Sequence, residues 1–238
     1  MKPGILYLIP ASLGEGSWSN YLPTETRDTA CRLTRYIAEN AKTTRAELKG
    51  LGHAVPLRDI AIEQLPEILT VAEIERLLAP ILAGEDVGLM SEAGCPGVAD
   101  PGALLVRRAH ALAITVKPLV GPSSLLLALM ASGLDGQRFA FHGYLPAREP
   151  ERSRRIAELE KESCRLGQTQ LFIETPYRNN ALCQALLAAC RPNTRLCLAT
   201  DLTLPTETVK TRTIADWRWQ PPPDLDRRPT VFLLLSEG

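Results

Sequence analysis

Apolar and polar positions alternate along the first half of the chain in two rhythms. Short apolar runs, Ile5-Leu6-Tyr7-Leu8-Ile9, Tyr36-Ile37-Ala38, Val87-Gly88-Leu89-Met90 and Thr115-Val116-Lys117-Pro118-Leu119, have the length and β-branched or aromatic content of buried strands. Between them the spacing lengthens to three and four. Ile74, Leu77, Leu78, Ile81 and Leu82 mark one face of a helix over 72–82, and Leu104, Leu105, Ala109 and Leu112 mark another from about Pro101 to Leu112. Thr26–Leu33, Lys42–Lys49 (closed by Gly50 and Gly52) and Leu125–Ala131 read as further helices, and Val55–Ile60 as a weak strand. Strands alternating with helices predict a mostly parallel α/β domain, whose ligand groups gather at the strands' carboxyl ends.

Gly133-Leu134-Asp135-Gly136 reads as a hinge, after which the rhythm changes. Strands are expected at 139–144, 170–174, 195–200, 207–213 and 231–236, with helices at 151–166 and 178–189, so strands follow one another without regular crossovers. This predicts two domains: 1–135, α/β with a parallel sheet, and 136–238, with a mixed sheet. Composition adds little beyond an ordinary globular chain, 45% hydrophobic and 23% charged. Basic and acidic residues balance at 27 each, so no global field draws the chain to nucleic acid or to an anionic membrane. The run at 5–9 ends at Pro10, too short for a signal peptide, and no stretch approaches the roughly 18 apolar residues of a membrane span. The six cysteines form no C-x-x-C and have no matching histidine pair. They predict no metal and no redox motif; Cys183, Cys190 and Cys197 read as small buried hydrophobes in a reduced, cytoplasmic protein.

Candidate chemistry concentrates in Ser91-Glu92-Ala93-Gly94-Cys95-Pro96-Gly97-Val98-Ala99-Asp100-Pro101-Gly102, between a strand and a helix. Its glycines let backbone approach a ligand, and its prolines stiffen the loop; the same residues also suit a tight connection. A second such loop, Gly121-Pro122-Ser123-Ser124, follows the next strand. Ala11-Ser12-Leu13-Gly14-Glu15-Gly16 sits where a dinucleotide fingerprint would, but Ser19 replaces the third glycine and Asn20 and Pro23 interrupt the helix, which argues against one. Glu39, Glu92 and Asp100 are carboxylates at strand or loop ends that could take a proton. Asp100 before Pro101 also suits a helix N-cap, and His142 suits a hydrogen-bonded strand histidine. The arginines at 148–155 sit among acids and read as a solvated helix face.

With these motifs in order, the chain resembles the tetrapyrrole methylase superfamily of S-adenosylmethionine-dependent methyltransferases, and within it the branch of the bacterial small-subunit rRNA ribose 2′-O-methyltransferase. Ser91–Gly102 follows that branch's S-D-A-G-T-P-G-I-S-D-P-G with Glu92, Cys95, Val98 and Ala99 substituted. Gly121-Pro122-Ser123-Ser124 resembles G-P-S-A, Ala131-Ser132-Gly133-Leu134 A-S-G-L, Phe141–Pro146 F-x-G-F-L-P, and Glu174-Thr175-Pro176-Tyr177-Arg178 E-S-P-H-R. The resemblance implies a two-domain α/β fold with S-adenosylmethionine in an interdomain cleft, and a homodimer. It implies cofactor contacts at Pro10, Glu92, Ala93, Gly94, Cys95, Pro96, Val98, Ser123, Ser124, Glu174, Thr175 and Pro176. It favours Glu39 as base, because that residue keeps the acid of the family's A-E-D-T-R. The segments Ile9–Gly14 and Ala38–Lys42 depart from T-P-I-G-N-L and A-E-D-T-R, and both border the acceptor side. The expected acceptor is a ribose 2′-hydroxyl of rRNA in the small ribosomal subunit. The alternatives are carbon methylation of a tetrapyrrole or corrin precursor and a non-catalytic cofactor-binding protein.

Overall fold

A computed structural model describes residues 2–66 and 68–237. The chain divides into two compact units, Met1–Ser123 and Ser124–Gly238.

The first unit runs β1 (Ile5–Ile9), α1 (Thr24–Arg32), β2 (Arg35–Ala38), α2 (Ala41–Gly50), β3 (Ala61–Gln64), α3 (Val71–Leu82), β4 (Val87–Met90), α4 (Ala103–Ala111) and β5 (Thr115–Pro118). Its strands form one parallel sheet in the order β3-β2-β4-β1-β5. Alternate side chains explain why the inner strands β1, β2 and β4 read as unbroken apolar runs, since both their faces are covered, while every residue of the edge strands β3 and β5 is half-buried or exposed. Leu6, Ile37 and Leu89 pack with Ile74, Leu77, Leu78 and Ile81 of α3 and Leu105 and Ala109 of α4. Tyr7, Tyr36 and Met90 point the other way, into a cluster with Ala30 of α1 and Leu48 of α2. A capping box fixes the start of α3, with Thr70 Oγ1 accepting from Glu73 N and the Glu73 carboxylate accepting from Thr70 N.

Two expectations shift. The strand expected at 55–60 is a 3₁₀ turn at Leu57–Asp59, and pairing begins at Ala61 opposite Arg35. Pro56 supplies the φ of −54° that opens the turn, and buried Ile60 anchors its exit. Helix α4 starts at Ala103 with Gly102 at its N-cap, so Asp100 does not cap it.

The second unit runs α5 (Ser124–Ser132), β6 (Phe139–Tyr144), α6 (Glu151–Leu166), β7 (Thr169–Ile173), α7 (Asn179–Ala189), β8 (Arg195–Thr200), β9 (Thr208–Thr213), α8 (Ile214–Trp219) and β10 (Thr230–Leu235). The sheet order is β6-β7-β10-β8-β9; β6 and β7 are parallel and the other pairs antiparallel, a mixed sheet as the irregular rhythm predicts. Its central strand β10 is buried at every residue. The units part between Ser123 and Ser124, ahead of the boundary expected at 135/136, because α5 packs on β8, β9 and β10. The Gly133–Gly136 turn therefore lies inside the second unit.

Helix α8 is absent from the sequence reading, although Thr213 and Asp216 form a three-apart cap in which Thr213 Oγ1 accepts from Asp216 N at 3.1 Å. It delivers Trp217, 1% exposed, whose indole N–H donates to Leu196 O at 2.8 Å. Its neighbour Trp219 is 85% exposed. Replacing Trp217 with Phe removes a buried hydrogen bond and leaves a void, and is expected to cost about 1–3 kcal/mol. Trp219→Phe should stay within about 0.5 kcal/mol. Urea denaturation midpoints of the two variants check this; equal midpoints would contradict it.

Candidate functional site

Covering both faces of the parallel sheet leaves its carboxyl end free, and the loops leaving β1, β4 and β5 meet there. Ala11 and Gly94 exchange backbone hydrogen bonds, Ala11 N to Gly94 O at 2.9 Å and Gly94 N to Ala11 O at 3.2 Å. The Cys95 thiol donates to Pro122 O at 3.3 Å, and Thr26 Oγ1 donates to Val120 O at 2.7 Å. Gly121 presses on Pro10 so closely that a Cβ would fall 2.3 Å from Pro10 Cβ. These contacts bring Pro10, Gly94 and Cys95 together and set Ser123 one residue beyond the fixed Pro122. Gly94 holds φ at +70°, a conformation L residues rarely adopt. A Cβ there would meet only Leu13 Cδ2 at 3.5 Å and Pro122 O at 3.8 Å, so a side chain would fill space the protein leaves open. Gly94 and Pro96 are buried and Cys95 is half-buried, while Glu92, Ala93 and Val98 face solvent.

Carboxylates line the adjacent strand ends. Glu92 N donates to Glu39 Oε2 at 3.0 Å, and Asn40 Nδ2 donates to Glu92 Oε1 at 2.7 Å. Asn40 Oδ1 also caps α2, accepting from Lys42 N at 2.9 Å. Burial first, and then the charges of Glu39 and Glu92, push the Asp100 carboxyl up to about 6. Ser91 is 3% exposed; its hydroxyl lies near enough to Asp100 to favour the charged carboxylate a little, yet makes no hydrogen bond of standard geometry.

A second polar group on this side escapes sequence reasoning, since its members lie far apart in the chain. Glu47 of α2 accepts from Ser12 N at 3.1 Å, Ser12 Oγ at 2.9 Å and Tyr21 OH at 2.9 Å, clamping the segment after β1. Burial and then the Glu47 charge push the Tyr21 hydroxyl up to about 12.

In the second unit, Glu174, Thr175 and Pro176 follow β7. The Glu174 carboxylate is buried and accepts from Thr175 N at 2.7 Å and Arg178 Nη2 at 2.8 Å, so it fixes the turn and is not a free acid. Arg227 N donates to Pro176 O at 3.2 Å. Ser124 is the first residue of α5. His142 has partners on both ring nitrogens, Gln170 Oε1 at 2.6 Å and Arg155 Nη2 at 3.3 Å, which matches the hydrogen-bonded strand histidine and leaves no free base. Arg152 and Arg155 pair with Glu149 and Glu158, but the Arg152 side chain is only 15% exposed and Arg155 also reaches His142, so the expected solvated face holds for Arg154 alone of the three. Cys183, Cys190 and Cys197 are buried thiols. Among the described residues no cluster could hold a metal ion, and no helix is long and apolar enough to cross a membrane.

Comparison with known proteins identifies the family. The chain is 34% identical over 237 residues to the Ribosomal RNA small subunit methyltransferase I of Xylella fastidiosa, an alignment covering 99% of this chain and 82% of that protein. It is 37% identical over 145 residues to the protein of the same name from Pseudomonas aeruginosa, covering 60% of this chain and 50% of that one. The fold is similar to that in the crystal structure of the methyltransferase CobJ, with a TM-score of 0.63 and 16% identity over 98% of this chain and 94% of the other. The family profile of the Tetrapyrrole (Corrin/Porphyrin) Methylases matches residues 28–217, which include both glycine loops and the Glu174 turn. The chain therefore belongs to the tetrapyrrole methylase family.

Proposed function

We propose that this chain is an S-adenosylmethionine-dependent methyltransferase acting on a ribose 2′-hydroxyl of rRNA in the small ribosomal subunit, as a homodimer in the cytoplasm. The observation that carries the reading is the stitched carboxyl edge of the parallel sheet. Pro10–Ala11, Gly94–Cys95 and Gly121–Pro122 are locked to one another, and at Gly94 a missing side chain leaves room beside exposed Glu92 and Ala93. Loops held rigid at the strand ends, with open space at Gly94 for close approach to the backbone, suit a nucleoside-bearing cofactor. Within the first unit Pro10, Glu92, Ala93, Gly94, Cys95, Pro96, Val98 and Ser123 would hold it.

When bound, S-adenosylmethionine supplies an electrophilic methyl group on a sulfonium. The chain's own residues must hold an acceptor oxygen in line with that methyl, since orientation accounts for much of the rate in such displacements. They must also take the hydroxyl's proton, a task that falls to Glu39 just past the end of β2, with Glu92 and Asp100 in the loop after β4 as the other carboxylates. The acceptor class follows the similarity to ribosomal RNA small subunit methyltransferases. The balanced charge fits it in a particular way: with 27 basic and 27 acidic residues, naked RNA lacks a broad cationic surface to bind. A folded ribosomal particle can be recognised by shape and by a few splayed nucleotides.

S-adenosylmethionine and its demethylated product are expected to raise the melting temperature, since a ligand that binds only the folded state stabilises it. Gly94→Val should cost about 1–2 kcal/mol of stability through its left-handed φ and weaken cofactor binding at least about tenfold. Calorimetry on the folded variant decides; unchanged affinity would make the loop a mere connection.

Labelled methyl should enter small ribosomal subunits from a methylation-deficient strain, and isolated rRNA only weakly. Methylation of a porphyrinoid with none on subunits would transfer the assignment to carbon methylation, and cofactor binding without transfer to either would leave a binding protein.

A further inference from the structure

Helix α2 divides its residues sharply by face. Thr44 and Leu48 are buried against the first unit. Glu47, its one acid, is taken up by Ser12 and Tyr21 of the segment after β1. What the helix exposes is Lys42, Arg45, Ala46, Lys49 and Gly50. The three cations stand at i, i+3 and i+7, within about 60° around the axis and over about 10 Å along it. Among the described residues none of the three is paired with a carboxylate. Elsewhere in the first unit cations meet acids: Arg32 pairs with Asp86 at 3.2 Å, Arg35 with Glu85 at 3.0 Å, and Arg76 with Glu63. In a chain of 27 basic and 27 acidic residues, the outer face of α2 is therefore a local line of unneutralised positive charge.

We propose that Lys42, Arg45 and Lys49 bind the phosphodiester backbone of the RNA acceptor and lay it beside the carboxyl end of the parallel sheet. The inference rests on the methyltransferase reading above and names a surface for its macromolecular substrate. Two contacts tie the helix to that end. Asn40, the N-cap of α2, donates from Nδ2 to Glu92 Oε1 at 2.7 Å in the loop after β4, and Glu47 holds the segment after β1. A line of point charges suits a polyanion, because each phosphate neutralised releases condensed counterions and the gains add along the strand. Such contacts fix the position of a nucleic acid without reading its sequence. Between the cations the face offers only Ala46, so it lacks the apolar stripe that an interfacial membrane helix buries. The neighbouring acids sharpen the placement. Glu39 and Glu92 repel phosphates at the edge of the sheet, and a backbone held on α2 keeps its charge away from them. Three cations are few, which agrees with weak capture of naked RNA and with recognition completed by the shape of a folded particle.

The test replaces Lys42, Arg45 and Lys49 with Gln, singly and together; all three are exposed and Gln is as good a helix former, so the fold is retained. Binding to small ribosomal subunits is followed between about 50 and 200 mM salt at fixed Mg²⁺, as the slope of log Kd against log salt. Each single change is expected to flatten that slope by about 0.7, and the triple change by about 2. The triple variant should raise KM for subunits by about 10–100-fold at physiological salt, with kcat and the Kd for S-adenosylmethionine unchanged. Arg107→Gln, at an exposed position of α4, should leave slope and KM as they are. A triple variant with the wild-type slope and KM overturns the surface, and so does one that loses kcat at unchanged KM. An equal loss in Arg107→Gln overturns it in favour of net charge, and a loss of binding to poly-glutamate but not to subunits overturns it in favour of an acidic protein partner. Wild-type protein that binds subunits without methylating them sinks the acceptor reading, and the surface then stands or falls on the slope of the triple variant. Wild-type protein that binds no subunits overturns both.

Discussion

A parallel sheet covered on both faces has only its ends left for chemistry, and everything in the first unit follows from that constraint. Tyr36 and Ile37 of one short strand enter different cores, so neither face of the sheet can be given over to a ligand. Crossover helices return each chain segment to the amino end, and every loop after a strand opens at the opposite edge. Because β1 lies between β4 and β5, the segments after these three strands are neighbours although far apart in sequence. The reciprocal Ala11–Gly94 hydrogen bonds convert that proximity into a fixed surface.

Rigidity there is achieved with backbone more than with side chains. The Gly121–Pro10 contact admits no Cβ, and the Cys95 thiol reaches a main-chain carbonyl. The second unit achieves the same end differently. Its Glu174 turn is held by a guanidinium, with the carboxylate buried and Arg178 partly in solvent. Removing either partner of such a pair leaves a buried charge or an open turn, so the E-T-P-Y-R segment behaves as one cooperative element.

Much of this was legible in the sequence because it is local. Strands β1, β2 and β4 declare themselves by apolar runs, α3 by its stripe, and the 91–102 loop by its glycines and prolines. The misses arise where tertiary packing overrides local pattern. The strand at 61–64 has no apolar signature, since it pairs at the edge beside β2, and Pro56 draws the extended reading upstream. The glycines at 133–136 draw the expected boundary past α5, yet the packing of that helix belongs to the second sheet. Asp100 looked like a cap because Asp-Pro often is one; the positive φ of Gly102 lets the chain enter α4 two residues later. The Ser12–Glu47–Tyr21 clamp had no linear signal at all.

Cys95 stands where the related motif carries threonine, and its surroundings bear on chemical selectivity. Burial first, and then the negative charge of Asp100, hold its thiol above the usual cysteine range, and it is spent as a donor to Pro122 O. The thiolate is the nucleophilic form of cysteine, so this sulfur is kept in its unreactive state. Beside the methyl donor proposed for this loop, a softer and intrinsically better nucleophile than any ribose oxygen is thereby disarmed.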